Sequence, residues 1–286
     1  MFSNDADVRA YVIADVFTST PLEGNQLAVF TDGAGLTSER MQRVARELNL
    51  SETVFVLPAE QGGDARIRIF TPSNELPFAG HPVLGSAFVI GGKMSTSRIR
   101  LETAAGVVPL ELERDGDRIV FGRMVQPTFS WEPYAGEREL LAALRVERSE
   151  LPVEAYRNGP LHVYVALESE EAVASLTPDL GALSRLPDIG ANCFAGSGGR
   201  WKTRMFAPAH GVVEDPATGS AAGPLAVHLA RHGRIAFGDE IEIRQGAEIG
   251  RPSILYARVE GSPDSIERVE VGGSAVVVAQ GEYRLA

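Results

Sequence analysis

The chain has a single cysteine, Cys193, among its 286 residues, so no disulfide can close within it and nothing points to an oxidising compartment. Of its five histidines only His228 and His232 stand at His-x-x-x-His spacing, and no cysteine lies near them in the sequence, which argues against a zinc centre. No apolar run reaches the roughly 18–20 residues of a membrane span. The opening Met1-Phe2-Ser3-Asn4-Asp5 lacks the basic start of a secretory signal. Basic charge is scarce: 27 Lys and Arg stand against 38 Asp and Glu, and a net charge of −11 disfavours both nucleic acid and anionic membrane as partners. No Walker loop appears and no Gly-x-Gly-x-x-Gly follows a strand, so no nucleotide cofactor is implied. Ser220, in Thr218-Gly219-Ser220-Ala221, is not part of a Gly-x-Ser-x-Gly elbow. These absences leave a cytoplasmic protein that handles a small molecule, long enough for two medium domains.

What is present is one phrase written twice. Arg68-Ile69-Phe70-Thr71-Pro72 leads through Glu75 to Phe78-Ala79-Gly80-His81-Pro82, and an apolar run follows. Close to half the chain later, Arg204-Met205-Phe206-Ala207-Pro208 leads through Glu214 and Asp215 to Thr218-Gly219-Ser220, again before an apolar run. Repetition at that scale suggests two related domains rather than a solenoid. In each copy a strand gives way to polar residues and glycine, then to a helix start. Such a start exposes unpaired N–H groups and the positive end of the helix dipole, so it can hold an anion. One start per domain, facing across a cleft, could grip one small acid from both sides.

The periodicities supply the scaffold. Strands are predicted at 11–17, 27–30, 53–57, 66–70, 161–167, 202–206, 241–244, 254–259 and 276–279, and Asp115-Gly116 marks a hairpin between 110–113 and 118–121. Thr37 or Ser38 caps a helix whose apolar positions Met41, Val44, Ala45 and Leu48 follow helical spacing, and a second amphipathic helix is read at 137–144. Two further helices, 83–90 behind Pro82 and 219–232 closed by Gly233, are almost wholly apolar or small. They must be buried all round, as a helix wrapped by a curved sheet would be. Residues 126–133 read as the crossover between domains. The order fits an α+β fold with two similar domains better than a doubly wound parallel sheet.

Gly80-His81 and Gly219-Ser220 are the candidate anion-holding pairs, or else ordinary helix starts. Glu52 is set among apolar neighbours, which would raise its pKa and suit it to general-base work near neutrality, or it is a solvated loop carboxylate. Asp215 could cap the second buried helix, bind a ligand amine, or do both. Glu75 is read as holding a loop in shape and Cys193 as a buried, inert thiol. The polar stretch Arg244–Pro252 frames the cleft or is simply a tight connection.

Pro21-Leu22-Glu23-Gly24-Asn25, Asn49-Leu50-Ser51-Glu52, Asn74–Pro82 and Glu214–Ala221 together resemble the signatures of the phenazine-biosynthesis PhzF family, over nearly the whole chain. Asn158-Gly159-Pro160, Asn192–Gly196 and Ala230–Gly233 resemble the phenazine-pathway members more than broader relatives. The resemblance implies the diaminopimelate-epimerase-like fold, with two pseudo-symmetric domains that each wrap a curved sheet around a central helix. Its boundaries here would be 1–127 and 128–286, with the last strand able to pack back on the first domain. It also implies a homodimer that uses no cofactor and no metal, and isomerises trans-2,3-dihydro-3-hydroxyanthranilate. By the same resemblance Glu52 is the catalytic acid/base, Gly80, His81, Gly219 and Ser220 contact the ligand, and Asp215 lies near its amino side. Related epimerases use two cysteines, one at each glycine turn; Ala79 and Thr218 fill those slots here, so two-thiol racemisation is excluded by residue type. Rival expectations are an isomerase or epimerase of the same fold acting on another small amino or hydroxy acid, and a non-catalytic protein that binds a small acid.

Overall fold

The computed structural model describes residues 7–285. In the first half, β1 (Val8–Val16), β2 (Asn25–Phe30), α1 (Ser38–Leu48), β3 (Glu52–Leu57), β4 (Ala65–Phe70) and the short β5 (Glu75–Leu76) precede α2 (Gly80–Gly91). The strands β6 (Arg98–Thr103), β7 (Gly106–Asp115) and β8 (Arg118–Val125) follow it. The second half runs β9 (Ser130–Pro133), α3 (Glu137–Leu144), β10 (Glu154–Arg157), β11 (Leu161–Ala166), α4 (Glu170–Ala174) and α5 (Leu180–Leu183). It continues through β12 (Gly190–Ser197), β13 (Arg200–Ala207), β14 (Val212–Asp215), α6 (Gly219–Arg231), β15 (Glu240–Gln245), β16 (Ser253–Ser262), β17 (Ser265–Gly273) and β18 (Ala275–Arg284). No helix among these residues is long and apolar enough to cross a membrane.

The pairing grammar repeats between halves. β2 and β3 run parallel, as do β4 and β6, with the antiparallel β3–β4 pair between them and β7 and β8 continuing antiparallel. In the second half β11–β12 and β13–β15 are the parallel pairs, β12–β13 lies between, and β16 and β17 continue. β8 pairs with β17, so the two sheets form one continuous mixed ladder. β1 sits between β2 and the last strand, β18.

Each half encloses one helix. Every residue of α2 except Ile90 is buried, and so are all the residues of α6 from Gly219 to Ala230, which explains why neither shows an amphipathic pattern. Both pack into one apolar core that includes Val83, Leu84, Leu225 and Leu229. Where the helices meet, their first residues touch. A Cβ on Gly80 would overlap the Gly219 backbone, and one on Gly219 would come 3.0 Å from the Gly80 backbone. Only glycine permits that approach.

The amphipathic helices behave as their spacing predicts. α1 buries Met41, Val44 and Ala45, and its cap Thr37 accepts from the Arg40 N–H at 3.2 Å. The crossover at 126–133 differs from expectation, because residues 130–133 form β9 against β10. Trp131 explains the added strand: its ring stacks on Tyr156 and the Arg231 guanidinium covers it at 4.6 Å. The strand β12, which carries Cys193, and the strands β6 and β17 were not read from periodicity. β12 is buried on both faces, so it has no alternation to read.

Pro224 lies inside α6 and cannot donate to the Ser220 carbonyl one turn earlier. The Asn158 side-chain amide donates to that carbonyl instead, at 2.8 Å. Its neighbours are held likewise: Gln126 donates to the Gly219 carbonyl at 2.7 Å and the Tyr164 hydroxyl to the Ala221 carbonyl at 2.6 Å. Three successive carbonyls therefore fix the first turn of α6 to the surrounding sheet.

Gly80→Ala is expected to cost about 2–3 kcal/mol, because the backbone at Gly219 and Ser220 must move, and Gly219→Ala less, because its Cβ meets the Phe17 ring at 2.9 Å and the Gly80 backbone only at 3.0 Å. Urea unfolding midpoints check this, and unchanged midpoints would show that the helix starts do not depend on the contact.

Candidate active site

The doubled phrase is doubled in space. Arg68 grips Glu75 through Nε at 2.7 Å and Nη2 at 2.6 Å, and Arg204 grips Glu214 through the same two nitrogens at 2.8 Å each. Each guanidinium also covers the phenylalanine two residues on, Phe70 at 5.1 Å and Phe206 at 5.0 Å. These two-point clamps tie the strand before each glycine turn to the segment that delivers the helix. Glu75 therefore holds its loop in shape, as expected.

The two helix starts open into one cavity of about 250 Å³. Glu52, Gly80, His81, Asp215, Gly219 and Ser220, the six residues singled out from the sequence, all line it. A larger hollow of about 520 Å³, lined by Thr18, Glu23, Lys202 and Arg244 among others, contains neither helix start. First-turn N–H groups have no intrahelical acceptor, so Gly80, His81, Gly219 and Ser220 offer donors here, and the positive ends of two dipoles coincide. Thr218, at the head of α6, is different: its N–H already donates to the Gln245 side chain at 3.2 Å.

Glu52 opens β3, directly after the left-handed turn at Asn49 that ends α1. Burial, reinforced by the neighbouring Asp215 carboxylate, holds its carboxyl well above the ordinary range. Its Oε2 lies 3.3 Å from the His81 Nε2, yet burial pulls His81 down to about 3, so the imidazole is neutral. Asp215 is raised too, because burial outweighs the bonds it accepts. Those bonds correct one expectation. Asp215 accepts from the Thr218 hydroxyl at 2.6 Å, the Asn25 amide at 2.9 Å and the Ser51 hydroxyl at 3.4 Å, and α6 has no side-chain cap. Its carboxylate joins the two halves instead of capping the helix.

Three residues at or behind the cavity wall are not picked out by the sequence patterns. Asn25 donates to both Asp215 and the Ala217 carbonyl, each at 2.9 Å; the sequence offers it only as the end of the Pro21–Asn25 stretch, with no role attached. Gln245 donates to the Asp215 carbonyl at 2.8 Å and the Thr218 hydroxyl at 2.9 Å, so one residue of the polar stretch at 244–252 braces the turn before α6 from outside the cavity lining. His162 bonds the Ser220 hydroxyl from β11, where an apolar strand pattern concealed it.

Cys193 lies outside the cavity lining, buried, with burial pushing its thiol up to about 12. Among the described residues one cluster has metal-ligand residue types: Glu154, His228 and His232, with ligand atoms within 4.8 Å of one another. Arg231 at 2.8 Å and Tyr156 at 2.9 Å already donate to the same Glu154 oxygen, and a cation there would face a guanidinium. Those donors make it a filled hydrogen-bond hub.

A family model described as phenazine biosynthesis-like protein matches residues 14–281. The chain belongs to that family. A Pseudomonas aeruginosa relative named trans-2,3-dihydro-3-hydroxyanthranilate isomerase is 56% identical over 97% of this chain and 100% of its own length. A solved PhzF-family protein from Bacillus anthracis superimposes with a TM-score of 0.83 at 25% identity, covering 96% of this chain and 99% of that one. A hydroxyproline epimerase from Agrobacterium vitis shares the fold at a TM-score of 0.66 and 13% identity, over 97% of this chain and 93% of its own. The PhzF-family fold is thus the α+β, epimerase-like architecture expected from the sequence.

Asp215→Asn removes the neighbouring negative charge, and the Glu52 pKa is expected to fall. Infrared titration of the protonated carboxyl band, assigned by difference from Glu52→Gln, checks the sign; an unmoved band would show that burial alone raises Glu52.

Proposed function

We propose that this protein is an isomerase that converts trans-2,3-dihydro-3-hydroxyanthranilate to an aminoketone, with Glu52 as its single acid/base. The observation that carries the role of Glu52 is a carboxyl raised by burial and by Asp215, set in a cavity beside two helix starts. The identity with the Pseudomonas aeruginosa isomerase over the full length of that relative supports the substrate.

The chemistry follows from the ring. Ionised Glu52 removes the proton on C3, and the electron pair spreads over C3, C5 and C1. Charge at C1 flows into the carboxylate it carries, which the N–H groups of Gly80, His81, Gly219 and Ser220 would hold. Donors fixed in advance around growing charge lower a barrier most where water is excluded. Glu52 then returns the proton to C1, moving the double bonds to C3=C4 and C5=C6 and leaving the 3-hydroxyl on an enol. Transfer of the hydroxyl proton to C4 yields the ketone, so no atom is gained or lost and no redox equivalent is consumed. Asp215 lies on the side for the substrate's amino group. A carboxylate with a raised pKa suits this work, being basic enough to take the proton and acidic enough to return it near neutrality.

The same reading makes the protein a cytoplasmic homodimer. It divides the chain into domains 1–127 and 128–286, with β18 returning to the first.

Glu52→Gln is expected to lower kcat by about 10²–10⁴-fold while leaving ligand affinity within a few-fold. Turnover near the wild-type rate would remove Glu52 from the mechanism, and absence of turnover in the wild type would favour a binding protein. In deuterium oxide, mass spectrometry of the product reports how much of the carried proton exchanges on Glu52.

A further inference from the structure

Behind Ser220 lies a line of side chains to which the reaction above gives no task. His162 on β11 is buried, with Nε2 3.0 Å from the Ser220 Oγ and Nδ1 3.4 Å from the Asn192 Nδ2 on β12. The direction of these bonds follows from their last member. The Asn192 Nδ2 also lies 2.8 Å from the Gly190 carbonyl, which can only accept, so the amide presents its nitrogen to both Gly190 and His162. The His162 Nδ1 must then accept. A neutral imidazole has one N–H, which falls on Nε2 and donates to the Ser220 oxygen. Burial, with some repulsion from His210, pulls His162 down to about 3, so the ring is neutral as this requires.

Ser220 is thereby left with its own hydrogen to give, and it lines the cavity. The ring's position is also prepared. Gly190 stands directly across from His162 in the parallel register, and a Cβ there would come within 3.2 Å of Nδ1. At the other helix start Asn25 stands 3.3 Å from the His81 Nδ1, so each half places an asparagine amide beside a histidine. In the first half that histidine begins the helix; in the second it stands behind the serine that does.

We propose that His162 and Asn192 are positioning residues that orient the Ser220 hydroxyl as a donor to the ligand's carboxylate. The inference rests on the isomerase reading only in placing a carboxylate at that point. The relay carries no charge, so it adds a directed donor without the cost of a buried cation. Ser220 adopts one role, and the site gains preference for a ligand with an acceptor at this position.

The test combines Ser220→Ala, His162→Phe, His162→Gln and the Ser220→Ala/His162→Phe double variant. Affinity for anthranilate, a planar amino acid of the same ring size, is read by calorimetry; kcat and KM are read with the dihydro-hydroxyanthranilate. His162→Phe and Ser220→Ala are each expected to raise the Kd for anthranilate about tenfold, the loss of one hydrogen bond to a charged group, and to lower kcat/KM by at least that factor, because charge grows on the same carboxylate during the reaction. The double variant is expected to match Ser220→Ala alone, and His162→Gln, which restores an N–H, to recover most of the affinity. Nitrogen-15 NMR of the wild-type ring is expected to place the proton on Nε2. A proton on Nδ1, an unchanged Kd in His162→Phe, or a double variant that multiplies the two losses to about a hundredfold would each overturn the relay. If the wild type binds anthranilate but never turns over the dihydro compound, the isomerase reading fails, while the NMR and Kd results still decide the relay.

Discussion

The contact between Gly80 and Gly219 is the constraint around which the molecule is arranged. Two buried helices arrive from opposite halves of the chain and meet at their first residues, where neither can carry a side chain. Like ends of two dipoles then lie side by side, an arrangement that favours negative charge between them. The residues around the cavity answer that demand with carboxyls, Glu52 and Asp215, and an acidic ligand would answer it further. The same crowding of charge and burial that raises those two carboxyls makes a proton shuttle possible. One packing decision thus shapes both the binding end of the site and its acidity.

Holding that contact takes work on each side. The Arg68–Glu75 and Arg204–Glu214 clamps fix the approach to each turn, and they do so with the same bidentate geometry. Beyond the turns the halves diverge. α2 enters its sheet with Pro82 in the first turn, where a missing N–H costs nothing. α6 carries Pro224 a turn deeper, and Asn158 compensates by donating to the carbonyl left open. The divergence continues in the chemistry, where Ala79 and Thr218 stand at the two turns and the carboxyl proposed to carry the proton, Glu52, lies on β3.

The parts of this arrangement that were legible in the sequence are those with a local cause. Helical spacing placed α1 and α3, Asp115-Gly116 placed the β7–β8 turn, and the repeated Arg-x-Phe-x-Pro frame placed the two helix starts. The six cavity residues were legible because glycine turns and a carboxylate among apolar residues are local patterns. What escaped depends on partners far along the chain. Asn25, His162 and Gln245 are polar side chains whose roles arise only when β2, β11 and β15 converge on Asp215 and Ser220. β12 was hidden because both its faces are covered. Capping stood among the uses open to Asp215 because it is the local use of an aspartate before a helix; the two hydroxyls and the amide that reach it instead come from residues 51, 218 and 25.

β1 has neighbours on both edges, and the outer one is β18, the final strand of the chain. Arg251, also from the far end, donates to the Asp15 carboxylate at 2.6 Å and to the Gly24 carbonyl at 2.8 Å, bracing the loop that delivers Asn25. The half that holds Glu52 is therefore finished by residues that lie far along the chain from it. During synthesis the first half can collapse around α2, but its outer strand stays uncovered and its cavity wall unbraced until Arg251 and β18 have been made. A site of this construction is assembled by both halves together, and neither half carries its walls alone.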